Sequence, residues 1–347
     1  LYLAEGLASA AEAADVATRL LDVLATPFTF QGVHLEQHAS IGIVVWDESN
    51  ADSTEFIQNV DVALYEAKRG HRGNYAFFTP SMHQQAIRHF ALAQELRQSL
   101  QQGDLTMHYQ PIVNLETSVV VGYEALMRWH HPERGWVPPT VFIPIAEQSQ
   151  LILELGSFAL HDAVSVASSW RDPNPGAALP YVTVNLSAHQ FQDPDLVPLI
   201  ERSLKSGGLS PDRLILEITE GVALLNVAET LNVISSLNAR GIGIALDDFG
   251  TGFSSLSYLT RLQPRIIKID RSFVSPQIES VQNDTLLEMI VALGNRLGMT
   301  MLAEGIETVA QLDRLRSLDC ELGQGFLYSA PVPADDATMM VGHVYPI

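Results

Sequence analysis

Seven short polar motifs, each placed where an apolar run stops, constrain this chain more than any other feature. They are Glu124-Ala125-Leu126, Asn185-Leu186-Ser187, Glu217-Ile218-Thr219-Glu220, Asp247-Asp248-Phe249-Gly250-Thr251-Gly252, Lys268-Ile269-Asp270, Ala303-Glu304-Gly305 and Gln324-Gly325-Phe326. Acidic and amide side chains at the ends of successive strands converge on one spot only if the strands are parallel and the sheet is closed. That requirement describes a (β/α)8 barrel, whose chemistry sits at the C-terminal strand ends. The carboxylates of Glu124, Glu217, Asp247, Asp248 and Glu304, with the Asn185 amide, are the hard oxygen donors that Mg²⁺ or Mn²⁺ prefers.

Composition narrows the partners. The 347 residues carry a net charge of −20, which repels a DNA or RNA backbone and argues against a nucleic acid polymer as ligand. A small anion remains compatible, because divalent metals invert the local sign of a carboxylate-rich pocket. The single cysteine, Cys320, excludes an internal disulfide and a Cys-based zinc site. No apolar stretch approaches the ~18 residues of a membrane span, and no signal segment is present. The chain therefore reads as soluble and cytoplasmic in character. Starting at Leu1, it also reads as a fragment whose parent can be membrane-attached through upstream domains.

Hydrophobic periodicity divides the chain at about residue 80. Upstream lie a helix over Ala11–Leu24, a strand over His34–Val45, a helix over Ser53–Arg69 closed by Gly70, and a strand over Asn74–Phe78. A polar helix near 81–103 then carries Leu92, Leu96 and Leu100 on one stripe and links the two parts. From 104 to 347 the pattern is that of a barrel. Strands His108–Val113 and Val119–Leu126 flank a turn-like Asn114–Ser118, which makes a hairpin and an antiparallel first strand. Strands then alternate with helices: Tyr181–Leu186, Arg213–Ile218, Ile242–Asp247, Arg265–Ile269, Thr300–Glu304 and a short strand near Gly325–Tyr328. The fold class is α/β, a modified TIM barrel behind a partial α/β piece. Strand alternation puts Thr183, Asn185 and Ser187 on one face, and likewise Glu124, Leu126 and Arg128.

Residues from about 105 to 333 resemble the EAL domain, the cyclic di-GMP phosphodiesterase family. The resemblance rests on Tyr109-Gln110-Pro111, Glu124 to Trp129, Phe142 to Glu147, Val184 to Ser187, Glu217 to Glu220, Asp247 to Leu259, Lys268 to Arg271, Ala303 to Glu307 and Gln324 to Phe326. It implies that Glu124, Asn185, Glu217 and Asp247 hold one metal, and that Asp247, Asp248 and Glu304 hold or orient a second. Two Mg²⁺ or Mn²⁺ ions would then activate water against one phosphodiester of cyclic di-GMP, giving linear 5′-pGpG. By the same resemblance Lys268 steadies the water or the developing charge, Gln324 positions a ligand, and Gln110 and Arg128 contact substrate, Arg128 at a phosphate. A homodimer through the barrel face near the Asp248 loop is a further implication. The alternative class is a non-hydrolysing cyclic di-GMP receptor; the unbroken run from Asp247 to Ser255 favours the enzyme.

Other motifs weigh less. Asp-Phe-Gly lacks the His-Arg-Asp loop a kinase needs, and Gly241-Ile242-Gly243 precedes a strand where a dinucleotide loop would follow one. Glu307 precedes Thr308-x-x-Gln311, a capping box, so helix support and a site role both stand. Glu220 reads either as support for the Asp248–Ser255 loop or as an exposed strand-end acid. His130 and His131 sit in a loop-like run without a partner at metal spacing, and Ser254-Ser255 suit a helix cap. Residues 1–80 resemble the second half of a GGDEF (diguanylate cyclase) domain through Ser40-Ile41-Gly42-Ile43, Asp61 to Lys68 and Gly70, with Leu1-Tyr2-Leu3 resembling the strand that follows that family's signature turn. The signature Gly-Gly-Asp/Glu-Glu-Phe turn is not in the chain, so cyclase activity is not expected of it.

Overall fold

A computed structural model describes residues 2–7, 9–30, 33–35, 39–45, 53–69, 73–171, 178–224, 227–250, 256–275 and 281–347. The chain divides into two compact units, Leu1–Glu95 and Leu96–Ile347, with the division falling inside the helix Pro80–Gln102. Within the first unit, helices Ala10–Ala25 and Ser53–Arg69 accompany two small sheets. The expected single strand over His34–Val45 is two: Val33–Leu35, hairpinned antiparallel with Phe28–Phe30, and Ile41–Ile43, parallel to Tyr75–Phe77. Tyr2 and Leu3 lie outside any strand. Gly70 falls outside the described residues.

The second unit is a closed eight-stranded barrel: β1 (Leu105–Asn114), β2 (Val120–His131), β3 (Tyr181–Asn185), β4 (Leu214–Thr219), β5 (Gly243–Phe249), β6 (Ile266–Ile269), β7 (Thr300–Ala303) and β8 (Leu322–Gly323). β1 pairs antiparallel with both β2 and β8, and every other barrel pairing is parallel. The hairpin expected from Asn114–Ser118 is therefore what closes the sheet. Strands buried on both faces need apolar residues throughout, which is why Leu214-Ile215-Leu216 and Ile266-Ile267 are wholly buried.

β2 runs on through His130 and His131, which were expected in a loop. There it pairs with Gly135–Val137, and the buried His131 ring Nδ1 accepts from the backbone N–H groups of Glu133 and Arg134, fixing that turn. β8 lies at Leu322–Gly323, upstream of the expected Gly325–Tyr328, because the chain turns at Gly325, where Tyr328 N–H returns to the Gly325 carbonyl. Helices Pro139–Gln148 and Ile152–Ser169 fill the stretch between β2 and β3 to which the sequence reading assigns no element. Among the described residues, no helix is long and apolar enough to cross a membrane.

The barrel interior is layered. Ile112, Ile215, Ala245, Ile266, Leu302 and Leu322 form a separate apolar plug inside it. Two residues on from the plug residues of β4 to β8 come Glu217, Asp247, Lys268, Glu304 and Gln324. On the reversed β1 the corresponding step runs backwards, from Ile112 to Gln110. One period of the pleat thus lifts a polar layer directly above the plug.

Candidate active site

The polar layer closes around one ammonium. Lys268 Nζ lies 2.6 Å from Glu217 Oε2, 2.7 Å from Glu304 Oε1, and 3.4 Å from both Glu124 Oε2 and Asp247 Oδ1. Lys268 and Glu217 are each 1% exposed. Amides frame the carboxylates. Asn185 Nδ2 donates to Glu124 Oε1 (2.9 Å), leaving its carbonyl oxygen free of that contact. Gln324 Nε2 donates to Glu124 Oε2 (2.7 Å) and to Gln110 Oε1 (2.9 Å), while Gln110 Nε2 donates to the Ser329 carbonyl (3.1 Å).

β5 carries a bulge at the site. Leu246 pairs with Ile267 and Phe249 with Ile269, so Asp247 and Asp248 together stand opposite Lys268. A bulge re-aims the residues it holds, and Asp248 accordingly adopts a left-handed φ of 56° and is exposed. Its N–H donates to Asp247 Oδ1 at 2.9 Å.

The electrostatics follow from burial against mutual charge. Burial opposes the charge of Lys268, but Glu124, Glu217, Glu304 and Asp247 overcompensate and hold its pKa well above the usual lysine range. Burial also works to raise Glu124, yet Lys268 and the hydrogen bonds from Gln324 and Asn185 prevail and keep its carboxyl low. Burial and the Glu124 charge push Glu217 well up, and burial pushes Glu304 up to about 7 against the pull of Lys268. Asp248, exposed at the strand end yet partly desolvated by its neighbours, is raised by that desolvation, then by Asp247 and Asp270.

As they stand, no three His, Cys, Asp or Glu side chains among the described residues are grouped to hold a metal ion, and Lys268 Nζ lies within 3.4 Å of four of the carboxylates. The donor set nevertheless fits a hard divalent cation. It consists of carboxylates plus an amide carbonyl, and the buried Glu217 Oε1 and Gln324 Oε1 have no hydrogen-bond partner among the described residues. Native proteins seldom leave such buried atoms unpaired.

The sequence-derived residues separate into two groups. Gln110, Glu124, Asp247, Lys268, Glu304, Glu307 and Gln324 line one open pocket, together with Leu126, Arg271, Gly305, Gly325 and Phe326. Its volume of about 260 Å³ sits just under the ~300–1,000 Å³ of small-molecule sites. Glu217 lies buried in the polar layer, and Asn185 and Asp248 stand exposed at strand ends. Arg128 is not in the pocket wall; its Nη1 donates to the Met127 carbonyl at 2.9 Å. Glu220, 6% exposed, is buried rather than an exposed acid, and neither carboxylate oxygen has a hydrogen-bond partner among the described residues. The Glu307 N–H donates to Gln311 Oε1, beside the capping box that Thr308 and Gln311 make for helix Val309–Ser317, and its carboxylate turns away to pair with Arg271 at 2.8 Å. Ser187 caps the helix Ala188–Phe191 in a reciprocal box with Gln190, so that serine of the motif is structural. Thr251, Gly252, Ser254 and Ser255 lie outside the described residues. The sequence counts Arg271 only as the last residue of the Lys268–Arg271 motif and gives it no role; the fold sets it in the pocket wall.

A closed barrel with a hard-oxygen cluster above its plug, at the C-terminal strand ends, defines a modified (β/α)8 barrel with its site where that class keeps its chemistry. The comparisons with known proteins identify the class further. The EAL domain matches residues 93–331, and the diguanylate cyclase, GGDEF domain, matches residues 2–74. This chain belongs to the EAL domain family. It is 38% identical over 325 residues to the bifunctional diguanylate cyclase/cyclic di-GMP phosphodiesterase MucR of Pseudomonas aeruginosa, covering 94% of this chain and 47% of that protein. To the cyclic di-GMP phosphodiesterase PdeR of Escherichia coli it is 35% identical over 319 residues, covering 92% and 48%. The chain thus spans about half the length of these curated relatives. Among solved structures, the PaMucR phosphodiesterase in complex with c-di-GMP superposes with a TM-score of 0.68 at 40% identity, over 71% of this chain and 99% of the other. The Klebsiella pneumoniae BlrP1 calcium/cy-diGMP complex gives 0.57 at 30%, over 67% and 56%.

Proposed function

We propose that this chain hydrolyses cyclic di-GMP to linear 5′-pGpG. The convergence of four carboxylates on Lys268 Nζ at the mouth of an EAL barrel carries the reading. The names of MucR and PdeR as cyclic di-GMP phosphodiesterases support it.

Glu124, Asn185, Glu217, Asp247, Asp248 and Glu304 would hold two Mg²⁺ or Mn²⁺ ions, which when bound acidify water and neutralise phosphate charge. The chain's own groups do the rest. Lys268, kept protonated by its acidic neighbours, acts as a hydrogen-bond donor toward the attacking oxygen or the developing negative charge, and not as a base. Gln324 holds Glu124 in place and braces Gln110 against the same wall. The bulge at Asp247-Asp248 delivers two acids from one strand end. Gln110 and Arg128 contact substrate, Arg128 after turning from the Met127 carbonyl; Glu220 and Glu307 support the loops around the site. Residues 1–80 act as the C-terminal part of a GGDEF-like domain, 81–103 as a linker helix and 104–347 as the catalytic barrel, working as a homodimer in the cytoplasm.

The test is chromatography of cyclic di-GMP incubated with the protein in Mg²⁺, in Mn²⁺ and in EDTA. Metal-dependent appearance of pGpG is expected. Binding without product would assign a receptor, and turnover in EDTA would exclude the two-metal chemistry.

A further inference from the structure

Among the described residues, the wall of the active-site pocket presents two cations, Lys268 and Arg271. Lys268 is committed to four carboxylates. A cyclic dinucleotide has two phosphodiesters, and only one is cleaved. The other carries a charge that also needs a partner, and Arg128, which contacts substrate only after turning from the Met127 carbonyl, is not among the residues that line this pocket.

Arg271 is built into that wall. Its stem packs on Gly305, which has φ +70°; a Cβ there would run into Arg271 Cβ, Cγ and Cδ. A side chain at that position would therefore evict the arginine stem as well as strain the backbone. Its head is held by Glu307, with Arg271 Nη2 at 2.8 Å from Glu307 Oε1 and the two side chains 59% and 40% exposed. An ion pair that open to water is weak and easily exchanged, whereas a guanidinium can grip a phosphate through two parallel N–H donors. The Glu307 backbone is anchored separately through Gln311, so releasing its carboxylate leaves the turn in place.

We propose that Arg271 binds the phosphodiester that is not cleaved, and that Glu307 parks its guanidinium until that phosphodiester arrives. The assignment rests on the cyclic di-GMP reading above. It makes the two partners of one ion pair act in opposite directions on ligand binding, which a merely structural brace would not do.

Calorimetry in Ca²⁺ with cyclic di-GMP and with pGpG, alongside steady-state kinetics in Mn²⁺, separates the possibilities. Arg271→Ala should weaken binding of both ligands by about tenfold to a hundredfold, because both retain the uncleaved phosphodiester, with the kinetic loss concentrated in KM. Glu307→Gln should tighten binding or lower KM, by about twofold to fivefold. Equal weakening by both substitutions would mean the pair is only a brace and would overturn the proposal. Weakening confined to pGpG would place Arg271 on the terminal phosphate and overturn it too, as would unchanged binding in Arg271→Ala. Wild-type protein that neither binds nor hydrolyses cyclic di-GMP would instead overturn the function itself, and this assignment with it.

Discussion

Lys268 Nζ sits 2.6 Å from Glu217 Oε2, an ammonium and a carboxylate that are each 1% exposed inside the barrel. Glu124, Asp247 and Glu304 surround the same nitrogen, so the lysine neutralises part of a cluster that would otherwise repel itself.

Removing that ammonium should expose the repulsion. Lys268→Met is expected to lower the melting temperature, since stripping one partner from a buried charge cluster costs about 3–5 kcal/mol. Mn²⁺ should recover part of the loss by supplying positive charge to the same carboxylates. Thermal unfolding with and without Mn²⁺ checks this; a melting temperature equal to the wild type would remove the lysine from its structural role.

Glu217→Gln keeps the shape of the side chain and deletes its charge. Metal affinity should fall by at least about tenfold, read by calorimetric titration with Mn²⁺, and turnover should fall with it. Undiminished affinity would take Glu217 out of the ligand set.

Asp248 tests the bulge. At φ 56° it occupies a conformation that Asn tolerates and β-branched residues do not. Asp248→Asn should lose activity while melting near the wild-type temperature. Asp248→Val should lose both, with about 1–2 kcal/mol of backbone strain added. Equal stability of the two variants would argue against the strained geometry.

Gly325 lies against Ile306, whose backbone N, C and O would all clash with an added Cβ. Gly325→Ala must therefore shift the turn that carries Gln324, and with it the amide holding Glu124. The expected result is a loss of turnover of about tenfold or more together with lower stability, on the order of 1–3 kcal/mol for a forced overpacking. Assay and melting curve, taken together, decide it.

Cys320 offers a pH-linked probe. Burial pushes its thiol up to about 12 from 9.0. A thiol raised in the folded state contributes stability that is intact below the unfolded value and is lost as pH climbs through the folded one, here the window from about 9 to about 12. At about pH 8 the folded protein should not react with a disulfide reagent, because the thiolate is the reactive form. Denaturant should release one reactive thiol; rapid reaction of the folded protein would contradict the burial.

The sequence makes the barrel legible because its strands obey a local rule, an apolar run ending in an acid or amide, and the rule survives folding unchanged. The hairpin at Asn114–Ser118 is equally local, and it correctly announces the reversed first strand. What escapes are features set by pairing. His130 and His131 look like loop residues because they are polar and precede Pro132, yet the short strand Gly135–Val137 recruits them into β2. Pro144 hides a helix that tertiary contacts sustain around it. β8 is only Leu322–Gly323, too short for any periodicity to register, so the more apolar Phe326-Leu327-Tyr328 drew the assignment. The role of Arg271 escapes for a different reason: it comes from Gly305 and Glu307, which are close in space and distant in sequence.

The reversal of β1 also has a mechanical side. In an all-parallel barrel the first strand begins at the end away from the chemistry, and the entering chain is insulated from the site by the plug. Here the entering chain arrives at the mouth, with the Asp104 carbonyl clipped to the His130 N–H. Gln110 follows on the same strand, hydrogen-bonded through Gln324 to Glu124. A pull on residues 96–104 along the strand axis is therefore a pull on the carboxylate network itself, with β1 as the lever arm.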